Sequence, residues 1–97
     1  MVKSNYTFQI IADFCEDIVE RKARAVSMMV TDLEAHFCLQ GEVFEPLDKE
    51  TYGIIAISCV GGSISLVASN GELIRANELK PNDFDMVLCV WMAFHEK

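Results

Sequence analysis

The side chains with the greatest potential for metal chemistry are two histidines and four cysteines. His36 and Cys38 form a His-x-Cys pair, in which two possible metal ligands are close in sequence. His95 lies alone near the end of the sequence. Structural zinc sites take four ligands, which usually arrive as two closely spaced pairs, and the sequence offers no second pair. We therefore expect no metal site, and an ordinary strand position for His36 and Cys38.

The four cysteines, Cys15, Cys38, Cys59 and Cys89, are widely spaced and have apolar neighbours. This setting is typical of buried thiols that pack as small hydrophobic side chains, and it lacks the positive, partly exposed surroundings that activate a catalytic thiol. Their even number leaves disulfides open. Because polar residues interrupt the first apolar stretch, no secretory signal is expected, and the sequence favours a reducing cytoplasm.

Two other features resemble parts of active sites. Asp83 and Asp85 form a carboxylate pair at the start of the last apolar run, but such pairs are found in any acidic protein. Gly61-Gly62 is not followed by the further glycine or the Lys-Ser or Lys-Thr of a phosphate-binding loop. We therefore predict that the protein is not an enzyme and uses no cofactor, while a site completed across a dimer stays open.

Charge narrows the classes of partner. Fifteen acidic and eight basic residues give a formal charge of -7, which disfavours binding to nucleic acids and to anionic membranes. The longest apolar run, 86–94, is far shorter than the roughly 20 residues that span a bilayer. The acids are densest between residues 32 and 50, and we predict that this stretch binds a basic protein surface. The predicted partner-binding residues are Asp32, Glu34, Glu42, Glu45, Asp48 and Glu50.

Two functions fit these observations. The first is a small acidic interaction protein, such as an inhibitor, an immunity protein or an adaptor, of the size and charge that phages and mobile elements often encode. The alternative is a module that binds a small ligand or a peptide at a sheet face or a dimer seam. Because 52% of the residues are apolar, some apolar surface should stay exposed, and we expect a homodimer.

The secondary structure expected to position these residues differs between the two halves of the chain. Apolar residues recur at three- and four-residue steps from Phe8 to Val19, which predicts an amphipathic helix. Residues 25–44 fit helix or strand: Thr31 to Glu34 has the spacing of a capping box that would start a second helix, whereas His36 to Phe44 alternates as a strand does.

Turn signals dominate the second half. Glu45-Pro46 reads as a turn, and Gly61-Gly62 and Asn70-Gly71 predict two hairpins, so three strands should run from Tyr52 to about Ala76. The apolar stretch from Phe84 to Phe94 favours a central strand over a buried helix. The sequence therefore predicts a single α+β domain over residues 1–97, with one or two N-terminal helices packed on an antiparallel sheet of about four to five strands.

Overall fold

The α+β prediction is confirmed. The computed structural model describes residues 17–38 and 41–95. Within these residues, two helices pack on one face of an antiparallel sheet of four strands, which have the spatial order β1-β2-β3-β4. The elements in chain order are α1 (Ile18–Phe37), β1 (Val43–Thr51), β2 (Ile54–Val60), β3 (Ser63–Ala68), β4 (Leu73–Arg75), 3-10 turns at Ala76–Glu78 and Pro81–Asp83, and α2 (Phe84–His95).

Helix α1 shares only residues 18–19 with the periodic stretch from Phe8 to Val19, and the part of that stretch before residue 17 lies outside the described residues. The carboxylate of Asp17 caps the helix by accepting the Glu20 N–H at 2.9 Å. The helix continues through Thr31, so the predicted second start is wrong. The Thr31 hydroxyl donates back to the Ser27 carbonyl at 2.9 Å, and the Glu34 carboxylate accepts the Ile64 N–H at 3.1 Å. Both side chains of the proposed capping box are therefore used elsewhere.

Both predicted hairpins are present. Gly61 and Gly62 join β2 to β3 with φ of 62° and 81°, which are the positive angles of a two-residue turn. Asn70-Gly71 lies in the turn between β3 and β4, where the Asn70 side chain accepts the Glu72 N–H. A third hairpin was not predicted: Tyr52 and Gly53 join β1 to β2 with φ of 51° and 77°.

The predicted turn at Glu45-Pro46 is wrong, because both residues lie within β1. Pro46 pairs with Ala56 of β2. Among the described strands β1 lies at the edge of the sheet, where proline is tolerated because an edge strand donates hydrogen bonds to a neighbour on one side only. Strand β1 begins at Val43, so the strand expected over residues 36–44 is also wrong for its first part.

The hydrophobic core lies between one sheet face and the two helices. Helix α1 contributes side chains at helical spacing, and β2 and β3 contribute the inward members of their alternation. The largest fully buried side chains of the core are Leu33, Ile54, Ile57, Cys59, Ile64, Leu66, Val87 and Val90. The opposite sheet face, which we call the outer face, is not covered by any described helix.

The strand predicted for residues 84–94 is a helix. Lys80 donates its N–H to Asp83 at 2.9 Å, and Pro81 opens the turn that leads into α2. A proline at the first position of a helical turn and a carboxylate two residues later are helix-start signals. The 12-residue length of α2 also exceeds the usual length of a buried strand.

Cys38 and Cys59 form a disulfide, with Cα atoms 5.8 Å apart. The prediction of unpaired thiols is therefore wrong for these two residues, while Cys89 is a free, half-buried thiol. Cys38 directly follows α1 and Cys59 lies on the inner face of β2, so the bond fastens the end of the helix to the sheet. Among the described helices, none combines the length and the apolar character needed to cross a membrane.

Candidate functional site

A compact polar cluster lies between the C-terminal half of α1 and the end of α2. Asp32 and His36 are one helical turn apart on α1, and Trp91 and His95 are one turn apart on α2. The Asp32 Oδ2 atom accepts the indole N–H of Trp91 at 2.6 Å and lies 2.6 Å from His95 Nε2. The Oδ1 atom lies 3.7 Å from His36 Nε2. One carboxylate therefore faces two imidazole rings and an indole.

The cluster is only partly shielded from water. The side chains of His95, Asp32 and His36 are 18%, 33% and 45% exposed. Burial raises the pKa of Asp32, but the hydrogen bonds from His95 and Trp91 and the positive charge that the two imidazoles can carry lower it more, so the pKa lies below its ordinary value of 3.8. The carboxylate is thus kept ionised, and it can balance a proton or another cation at the rings.

Aromatic packing fixes the ring positions. The ring centroids of Trp91 and His95 are 4.4 Å apart, and His36 lies edge-on to Phe94 at 5.3 Å. The ring centroids of Phe37 and Phe94 are 4.5 Å apart. These ring contacts restrict the imidazoles to rotamers that face the Asp32 carboxylate.

The acids predicted to bind a partner do not form one surface. Asp32 belongs to the polar cluster, and the Glu34 carboxylate is bonded to the backbone of β3. Glu45 is half-buried and lies at an inward-facing position of β1, paired with the buried Ile57. Three of the six predicted residues therefore have other positions or partners within the fold.

The remaining three acids, Glu42, Asp48 and Glu50, are all exposed. They lie in or beside β1, near Phe44 and Pro46, which strand alternation places on the outer face. The register to β2 shifts between Pro46 and Thr51, so Asp48 and Glu50 are exposed on an irregular part of the strand. We call Glu42, Asp48 and Glu50 the acidic row. Phe44 is 61% exposed, which is unusual for so large an apolar ring and marks a candidate contact residue.

An open groove of about 430 Å³ lies between α1 and the turn at Ala76–Glu78. Its walls are mixed, with Val26, Val30 and Leu79 beside Thr31, Glu34 and Asn77. The volume is within the range of small-ligand sites. The polar groups of the wall are nevertheless largely engaged, since Thr31 and Glu34 bond to backbone atoms of the fold.

Sequence reasoning missed the polar cluster, although half of its signal was present. Asp32 and His36 are four residues apart, which places them on one face once the stretch is a helix. His95 and Trp91 join them only because α2 is a helix that packs on α1, and this segment was predicted as a strand. The three acids of the acidic row were predicted, but their place on one strand beside the exposed Phe44 was not, because Glu45-Pro46 was interpreted as a turn.

The comparison with known proteins adds no relative. No protein family matches the chain, no curated protein shows significant similarity to it, and no solved structure resembles the fold closely enough to count as a match.

Proposed function

We propose that the protein is a small non-catalytic interaction protein that binds a basic surface of a protein partner, acting as an inhibitor, immunity protein or adaptor. The observation that carries the proposal is the outer side of β1, where the acidic row flanks the exposed Phe44. Interfaces of this kind combine an aromatic anchor with a charged rim. The binding site is thus narrower than the stretch of acids in the sequence.

Phe44 has the position expected of an anchor. Its cross-strand partner on β2 is Ser58, which pairs in turn with Ser65 on β3. These small neighbours leave the face of the ring open, so that a partner side chain can pack on it. In the adjacent row of the sheet, Pro46, Val67 and Leu73 extend the apolar surface, while Ala56 between Pro46 and Val67 is buried.

The acidic row supplies long-range attraction. Opposite charges speed the encounter of two proteins, and salt weakens this effect. The overall charge of -7 has the same sign as the row, so a basic partner is attracted before Phe44 makes contact. The same charge opposes direct binding to nucleic acids and anionic lipids, which stays a prediction of the proposal.

The test is capture of partners from the native host with three forms of the protein. The first is unchanged, the second carries Glu42→Lys, Asp48→Lys and Glu50→Lys, and the third is the matched control described below. We expect a basic protein to be retained by the first and third forms and lost from the second. We also expect its binding to weaken several-fold between about 50 and 300 mM salt.

The matched control carries Glu72→Lys, Glu78→Lys and Asp85→Lys. These three acids are exposed and lie outside β1, so the control has the same net charge as the row variant. Equal loss of the partner from both variants would show that net charge, and not the row, drives binding. Retention of the partner by the row variant would contradict the proposed site.

A homodimer is part of the proposal. Two copies that met through the acidic row would bring like charges together. We therefore expect the dimer contact at the β4 end of the outer face, where Leu73 is 55% exposed. Sedimentation of the protein and of Leu73→Glu over micromolar concentrations tests this. A monomer throughout the range for the unchanged protein would contradict it.

The cytoplasmic location expected from the sequence also belongs to the proposal, and the disulfide opposes it. Structural disulfides are rare in the cytosol of most organisms. Trapping of thiols in intact host cells, followed by mass measurement, decides the point. A bonded Cys38–Cys59 pair in the native host would replace the cytoplasmic location with an oxidising compartment.

A ligand-binding module is the second candidate, and the groove beside α1 favours it. Native mass spectrometry of the protein purified from its host separates the two functions. A retained small molecule that is lost after Val30→Trp, which fills the groove, supports the module. A bare chain leaves the interaction protein as the better supported function.

A further inference from the structure

Asp32, His36 and His95 have the donor atoms of a metal site. One ligand atom from each side chain lies within 4.8 Å of the other two. The three residues come from two helices that pack against each other. Two imidazole nitrogens and one carboxylate oxygen are the donors that zinc and neighbouring divalent transition metal ions favour, whereas magnesium and calcium favour oxygen alone.

The distances are close to those of a coordinated ion. Bonds of about 2.0–2.1 Å to a tetrahedral zinc ion place neighbouring ligand atoms about 3.3 Å apart. His36 Nε2 is 3.7 Å from Asp32 Oδ1, and His95 Nε2 is 2.6 Å from Asp32 Oδ2. These two distances involve different oxygens of the carboxylate. The three ligand atoms lie within 4.8 Å of one another, so coordination requires changes of up to about 1.5 Å, which side-chain rotations provide.

The surroundings support the ligand atoms. The Trp91 N–H donates to Asp32 Oδ2, which is the kind of contact that orients a coordinating carboxylate. The Cys38–Cys59 bond fastens the end of α1 two residues after His36. His36 is 45% exposed at its side chain, so an ion from solvent has a path into the cluster.

We propose that Asp32, His36 and His95 bind one zinc ion or a related divalent transition metal ion, with the remaining coordination position open to water. This differs from the expectation drawn from sequence spacing, which searched for two pairs of ligands close in sequence. Here the fold supplies the second element, because α2 brings His95 to Asp32 across 63 residues. The site is separate from the acidic row, so the proposal stands or fails independently of partner binding.

The first test uses the unaltered ligand set, so it does not depend on the folding of a ligand variant. Protein without an affinity tag is freed of metal with a chelator, and Cys15→Ser with Cys89→Ser removes the two cysteines outside the disulfide. Zinc is then added while the imidazole proton resonances are recorded. Because the chain has only two histidines, we expect both sets of signals to shift and the change to end at one ion per chain.

The second test measures affinity by calorimetry in the same background. His36→Gln, His95→Gln and Asp32→Asn should each weaken zinc binding by more than about 100-fold, and Trp91→Phe by about 10-fold, since loss of an outer contact alone costs 10- to 100-fold. Asp85→Asn, a matched carboxylate change on α2, should leave the affinity unchanged. Magnesium should give no heat of binding.

The proposal is overturned by histidine signals that do not respond to zinc, or by zinc binding that survives His95→Gln at full strength. A shift of the His36 signals alone would show that α1 holds the ion without α2 and would also refute the three-residue site. Circular dichroism identifies any variant that fails to fold. If a variant does not fold, its affinity is set aside and the imidazole titration of the protein with all three ligands decides the result.

Discussion

The indole nitrogen of Trp91 lies 2.6 Å from the Oδ2 atom of Asp32, although 59 residues separate the two in sequence. The contact joins the only tryptophan of the chain to a carboxylate whose pKa is lowered in part by this bond. Trp91 also belongs to the core, with 4% of its surface exposed. Its ring therefore packs the two helices together while its N–H satisfies a partly buried charge.

Loss of this bond should destabilise the protein. We expect Trp91→Phe, measured by chemical denaturation in the presence of a chelator, to lower the free energy of unfolding by about 2–4 kcal/mol, since a hydrogen bond to a charged group contributes about 1.5–3 kcal/mol and ring volume is lost as well. In an Asp32→Asn background the same change should cost clearly less. An equal cost in both backgrounds would show that packing alone accounts for the effect.

The disulfide should contribute a comparable amount. Cys38 and Cys59 are 21 residues apart, and closing a loop of this size stabilises a folded chain by about 2–4 kcal/mol. We expect Cys38→Ser with Cys59→Ser to lose this amount in urea denaturation, and reductant to lower the stability of the unchanged protein but not of the double variant. If reductant leaves the denaturation midpoint unchanged, the bond does not stabilise the fold.

The Glu34 carboxylate ties α1 to β3 through the Ile64 N–H. Glu34→Ala should therefore cost about 1–2 kcal/mol, because a partly buried backbone donor loses its acceptor. Glu34→Gln keeps an acceptor oxygen and should recover most of the stability, which denaturant titration of both variants will measure. Equal stability of the alanine and glutamine variants would refute a role for the bond.

The Cys89 thiol should react slowly with alkylating reagents. Burial, and then the negative charge of Asp85, raise the pKa of this thiol above its ordinary value of 9.0. A raised pKa means less thiolate at any pH below it, so alkylation near pH 8 should be slower in the folded protein than in urea, and should rise about tenfold per pH unit until the pH passes the pKa. Peptide mass spectrometry measures modification of Cys89 separately from that of Cys15.

Asp85→Asn removes the second of these causes and should speed alkylation of the folded protein by a few-fold at the same pH. The rate in urea should not change, because the unfolded chain holds no fixed distance between the two side chains. Faster reaction in the folded state than in urea would contradict the direction of the pKa shift.

Local signals were sufficient for part of the fold. Gly61-Gly62 and Asn70-Gly71 predicted two hairpins, because the positive φ angles of tight turns restrict which residues can occupy them. These features depend on neighbours along the chain, so a single sequence contains them.

Features that depend on distant packing were not predicted. The apolar stretch 84–94 suits a buried strand or a buried helix by its pattern alone, although Pro81 and Asp83 before it are a local signal for the helix. Tyr52 has a positive φ of 51°, which an aromatic residue rarely adopts, so its turn has no strong signal. The polar cluster needs both helices at once, and the separation of the acidic row from Asp32 and Glu34 needs the position of β1.

Pro46 has a consequence for how this apolar-rich chain behaves when concentrated. The free edge of a sheet invites a strand from another copy, and growth of that pairing leads to insoluble fibrils. Pro46 offers no N–H for such pairing. If two copies paired in register along β1, Glu42, Asp48 and Glu50 of one copy would lie beside the same acids of the other and repel them. The opposite edge, β4, is only three residues long. Replacement of Pro46 by threonine would restore a donor, and we expect the variant to form fibrils at concentrations where the unchanged protein stays clear.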